Sequence, residues 1–136
     1  MKYDEFVKHV HNRARISSRE EAIGAVRATL ETLAERLAGG EASDLAAQLP
    51  QEIAVYLQHD KAGSGERFSL DEFFDRVSAR EGGDLPVAVY HARVVIEVLG
   101  EAVTTGEMND IRSQLPSEFD RLFEAGSEGK MPPERG

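Results

Sequence analysis

Apolar residues recur along two stretches of the chain at spacings of three and four, the period of an amphipathic helix. In the first stretch Ile23, Val26, Leu30, Leu33 and Leu37 form one stripe. In the second, Val89, Ala92, Ile96, Leu99 and Val103 do the same. Each stripe predicts a long helix, preceded by a shorter one and followed by a short helix and then a Pro-started helix. The clearest start signal is "FSLDEF", where Ser69 caps, Glu72 sits at N3, and Phe68 and Phe73 occupy staple positions. Lys2 takes the cap position of the first helix, and Ser17 or Ser18 caps the first long one. Gly39-Gly40 is expected to end that long helix, and Glu41 to open the next.

The motif Gln-Leu-Pro-x-Glu occurs twice, at Gln48-Leu49-Pro50-x-Glu52 and at Gln114-Leu115-Pro116-x-Glu118. A residue before proline is pushed out of the helical region, so the helix from Glu41 should stop near Leu49. Pro50 then suits N1 of a new helix, and Glu52 at N3 can reach back to the Leu49 N–H. On this reading Gln48 is a corner residue whose amide satisfies loose backbone groups at the bend, with Gln114, Pro116 and Glu118 forming the second corner. The functional alternative places Gln48 and Gln114 in a site shared between two halves.

The paired motif is part of a longer repeat. Sliding the chain by 66 residues aligns Ala22 with Ala88, Arg27 with Arg93, Glu31 with Glu97, Leu33 with Leu99 and Glu35 with Glu101. The alignment continues through Gly40-Glu41 with Gly106-Glu107 and Asp44 with Asp110, giving 12 identities in the 38 positions from Glu20 to Leu57. "DEF" at 4–6 also matches "DEF" at 71–73, at an offset of 67. The predicted fold is a single all-α helical bundle of seven or eight helices, made of two pseudo-two-fold-related repeats. Repeat one spans about 2–59 and repeat two about 68–124 of a helical domain covering 1–124. "HDKAGSGER" (59–67) reads as an unstructured junction, and residues 125–136 as a disordered tail.

The second long helix is apolar on both sides. Val87, Val94 and Val98 stand where the first carries Glu21, Ala28 and Thr32. A helix apolar all round is buried all round, within the monomer or against a partner. Val87, Val94 and Val98 are therefore a candidate interaction face.

Composition narrows the classes. The 136 residues are 30% charged and 40% hydrophobic, as in a soluble globular protein. There is no cysteine, which removes disulfides and thiolate metal sites. The net charge of −9 repels phosphate backbones, and the most basic stretch, Arg13, Arg15 and Arg19, reads as a solvated helix end. No nucleic-acid partner is expected. The N-terminus lacks a signal-like apolar region, and no apolar run approaches the length of a bilayer span. The expectation is a cytoplasmic protein without a membrane partner.

Candidate chemistry is sparse. His9 and His11 lie two apart, which on a helix points them to nearly opposite sides. His59-Asp60 is too short a pattern to define a metal site, and no phosphate-binding or hydrolase motif appears. Arg27, Glu31 and Glu35, like Arg93, Glu97 and Glu101, read as an exposed ion-pair ladder. A di-carboxylate metal site there would need a further Glu-x-x-His, which is absent. No catalytic, cofactor-binding or metal-binding residue is predicted, and no cofactor is implied.

The stretches "LDEFFDRV", "LAERLAGGEASDLAAQLP" and "LGEAVTTGEMNDIRSQLP" resemble a bacterial family catalogued as domain of unknown function 2267 (DUF2267), over about residues 2–124. The resemblance implies a small, soluble, helical protein and carries no activity, cofactor or catalytic residue. The expected function is a non-enzymatic interaction or structural module, acting as a homo-oligomer or with a protein partner. The alternatives are a binder of a small apolar ligand held between the halves and, least favoured, an enzyme without a recognisable motif.

Overall fold

Three helices begin on hydroxyl caps. Ser18, Ser69 and Thr104 each accept a 3.1 Å hydrogen bond from the backbone N–H of the glutamate three residues on. The computed structural model describes residues 1–124. They form α1 (Tyr3–Arg13), α2 (Arg19–Arg36), α3 (Glu41–Ala46), α4 (Gln51–Ala54), α5 (Leu70–Glu81), α6 (Leu85–Ala102), α7 (Thr105–Ser113) and α8 (Asp120–Phe123), with 3-10 turns at Val55–Leu57 and Ser117–Phe119. The all-α class therefore holds, with eight helices and no strand among the described residues. The tail expected at 125–136 lies outside them. No described helix is long and apolar enough to cross a membrane.

The long helices α2 and α6 pack on each other and on both α1 and α5, and α8 closes over α6. Val26, Leu30, Leu33 and Leu37 are fully buried, as their spacing predicts. The staple also forms, with the Phe68 and Phe73 ring centroids 6.4 Å apart. Truncating a leucine such as Leu30 to alanine would cost about 2–5 kcal/mol.

Burial corrects the proposed interaction face. Val94 and Val98 have no exposed surface, because α6 is covered by α1, α2, α5 and α8. Both are core residues, and an aspartate at 94 would bury a charge rather than open a seam. Of the three valines only Val87 is exposed, at 38%.

The end of α2 also differs from expectation. The helix stops at Arg36, because Leu37 swings into extended backbone (ψ 144°) and buries its side chain. The segment expected to be a loose junction supplies the cap. Gly63 N–H donates to Ala34 O, Glu66 N–H to Glu35 O and Gly65 N–H to Leu37 O, at 2.8–3.0 Å. These bonds satisfy carbonyls that the helix end would otherwise leave open. Gly65 is required there: its φ is +66°, and a Cβ would come within 2.8 Å of the Ala38 Cβ.

The proline corners are tighter than predicted. Helix α3 ends at Ala46, and Pro50 serves as the N-cap of α4 rather than its first residue. Leu49 N–H donates to Ala46 O, and Leu115 N–H to Arg112 O, each at 3.1 Å. Neither amide remains for Glu52 or Glu118, which are both exposed. Pro116 likewise caps the 3-10 turn Ser117–Phe119.

Candidate functional site

A groove of about 490 Å³ runs between the start of α2 and the α5–α6 turn. Its walls are Glu20 and Glu21 from α2, Arg80 and Glu81 from α5, and Val87 and His91 from α6. A second hollow, sharing Gly24 and Arg80, extends it along α2 past Arg27 to Glu31. The floor is glycine: Gly24 lies in mid-helix, and Gly82 is the left-handed C-cap of α5. A Cβ built on either would meet no atom within 4 Å. The cap requires glycine at 82, but nothing among the described residues requires it at 24. Of the lining residues Val87 is apolar and 38% exposed.

Glu81 meets His91 Nδ1 at 2.7 Å in the groove wall, with both side chains largely buried. A carboxylate so placed fixes the orientation of the imidazole. No hydroxyl or thiol stands among the described residues lining the groove, so the pair has no nucleophile to activate there.

Behind the groove lies a dense ion-pair network centred on Glu35. Expected in an exposed ladder, Glu35 is instead buried, because α5 packs over that side of α2. Arg80 grips its carboxylate with both guanidinium nitrogens and also donates to Thr32 Oγ1 at 2.6 Å. Arg76 reaches Glu35 at 3.0 Å while holding Glu66 and Glu72. Burial alone would push the Glu35 carboxyl up, but Arg80 and Arg76 hold it below its ordinary value. The Arg27–Glu31 rung of the expected ladder does form, at 3.0 Å.

Three further contacts join the N-terminal and C-terminal parts of the chain. Gln48 Oε1 accepts from Thr104 N–H at 2.9 Å, and Gln114 Oε1 accepts from Ala38 N–H at the same distance. Gln114 also donates to Ala38 O at 3.1 Å. The glutamines thus satisfy loose backbone groups, as expected of them, but in the other half of the chain rather than at their own bends. Arg13 in α1, the basic residue expected to be solvated, forms a bidentate pair with Glu101 of α6 at 2.7 Å.

Where α3 meets α7, Glu41, Glu107 and Asp110 bring one carboxylate oxygen each to within 4.8 Å of one another. Glu107 is 7% exposed, and its Oε2 and that of Glu41 are buried without a hydrogen-bond partner. An N3 glutamate ordinarily reaches back to the N-cap amide. Here the Thr104 amide is already donated to Gln48, so Glu107 turns towards Glu41 instead. Burial first, and then Glu41, Asp44 and Asp110, push the Glu107 carboxyl up to about 7. No motif in the sequence marks this cluster as a site. Its signal was present, since Glu41 with Glu107 and Asp44 with Asp110 are among the repeated identities.

These observations define a small all-helical protein with an open, charged groove and a carboxylate cluster apart from it. The chain belongs to the DUF2267 family, described as an uncharacterized conserved protein, whose model matches residues 3–122. No curated protein matches the chain.

Proposed function

We propose that the chain is a duplicated helical unit folded about a pseudo-two-fold axis, acting as a non-enzymatic protein-interaction module through the groove floored by Gly24. The duplication is supported by reciprocal contacts. At the repeat offset of 66, Gln48 and Thr104 correspond to Gln114 and Ala38, so each glutamine serves the other half in the same way. At the offset of 67, Arg13 corresponds to Arg80, and each pairs with the equivalent glutamate, Glu101 or Glu35, of the opposite long helix. A two-fold arrangement produces such exchanged pairs, because every contact between halves then occurs twice.

The observation that carries the interaction reading is Gly24. A mid-helix glycine costs about 0.5–1 kcal/mol against alanine, and here alanine would fit. Keeping the backbone bare at the groove floor lets another chain approach closely. The occupant that suits the groove is a protein segment carrying aliphatic and basic side chains. Val87 offers an exposed apolar contact, and Glu20 and Glu21 the acidic wall, in a chain of net charge −9. The charged lining gives no support to the alternative of an apolar small molecule.

Peptide display tests this reading. The wild-type chain should select segments that combine aliphatic and basic residues. Gly24→Leu should lose them while keeping its helical circular-dichroism spectrum and melting temperature. Selection of no peptide, or of peptides that bind both proteins equally, would contradict it.

A further inference from the structure

We propose that Glu41, Glu107 and Asp110 bind a divalent cation that prefers hard oxygen ligands, such as Mg²⁺, Ca²⁺ or Mn²⁺, joining α3 to α7. The three residues gather one carboxylate oxygen each within 4.8 Å. Asp44 adds a fourth carboxylate to the neighbourhood. Oxygen donors alone, without histidine or cysteine, are the ligand set of these ions and not of zinc in its structural sites.

Acidic clusters are common on protein surfaces, and this one differs in the state of Glu107. The residue is more than nine-tenths buried, its Oε2 has no hydrogen-bond partner, and one of its carboxylate oxygens lies within 4.8 Å of those of Glu41 and Asp110. A buried carboxylate is ordinarily paired, as Glu35 is with Arg76 and Arg80. Around Glu107 stand other carboxylates, those of Glu41 and Asp110. The positive end of α7 supplies only about half an elementary charge against three carboxylates. A divalent cation answers that imbalance directly. Its path of entry is open, since Asp110 is exposed and Glu41 half-exposed, and water on that side can complete the coordination shell.

The same geometry also suits a proton shared between Glu41 and Glu107, and the test separates the two. Full-length protein stripped with chelator is titrated calorimetrically at pH 7.5 with MgCl2, CaCl2 and MnCl2 in turn, and its melting temperature is followed with and without each salt. Site binding predicts one ion per chain for at least one salt, with a raised melting temperature. Glu107→Gln and Asp110→Asn should each weaken that ion at least tenfold while remaining folded. No saturable binding at millimolar concentrations, or equal binding by Glu107→Gln, overturns the proposal. A wild-type protein that grows more stable towards acid yet responds to none of the salts identifies the shared proton, and overturns it equally.

Discussion

Glu35 and Glu107 are both buried glutamates on helices, and the chain treats them in opposite ways. Glu35 is met by two arginines from α5, a threonine-bound guanidinium among them, and is held in its charged form. Glu107 is met by other carboxylates and is pushed towards its neutral form. Burial disfavours both charges, so the difference lies entirely in the neighbours. The contrast separates a buried carboxylate met by cations from one met by other carboxylates. Structural ion-pair networks look like the first.

Breaking the cation-paired site should cost most. Arg80→Met leaves the buried Glu35 carboxylate with Arg76 alone and should destabilise the chain by about 3 kcal/mol in urea unfolding at pH 7. Glu35 has a lowered folded pKa, so the stability it carries is present above about pH 4.3 and lost as the pH falls below that. The cost of Arg80→Met should therefore shrink in acid. An undiminished cost at pH 3 would mean that lost packing, not lost charge pairing, is responsible.

The carboxylate cluster should behave in the opposite sense. With chelator present, Glu107→Gln should stabilise the protein at pH 8 by about 2 kcal/mol, because it removes an unpaired buried charge. The smallest effects should come from the cross-half glutamines. Gln48→Ala and Gln114→Ala should each cost about 1 kcal/mol, the worth of an amide hydrogen bond left unmade. Similar costs for the two would sharpen the view that they are equivalent positions. A neutral Gln48→Ala beside a costly Gln114→Ala would break it.

Much of the fold was legible in the sequence because it rests on local rules. Ser69 with Glu72, the stripes of α2 and α6, and the all-helical class follow from period and capping chemistry. What failed was decided by distant partners. The spacing of Glu35 along α2 says that it leaves the apolar stripe, but not that α5 will cover it. The valines of α6 state that they are buried, but not by what, and the covering helices come from the same chain. The segment 59–67 has the composition of a linker, yet its amides are committed to the α2 carbonyls. Its role depends on where the chain returns, which no local pattern encodes. The carboxylate cluster was visible as repeated glycine-glutamate and aspartate positions. Only the meeting of α3 with α7 turns that repetition into a site.

The most direct test is the unfolding free energy of wild type and Glu107→Gln, measured in chelator from pH 4.5 to 8. Glu107 has a raised folded pKa, so the stability it confers is full below about pH 4.3 and lost as the pH rises through about 7. The account predicts that the variant's advantage grows from near zero at pH 4.5 to about 2 kcal/mol at pH 8. An advantage that does not change with pH would contradict it, because Glu107 would then titrate alike in the folded and unfolded chain.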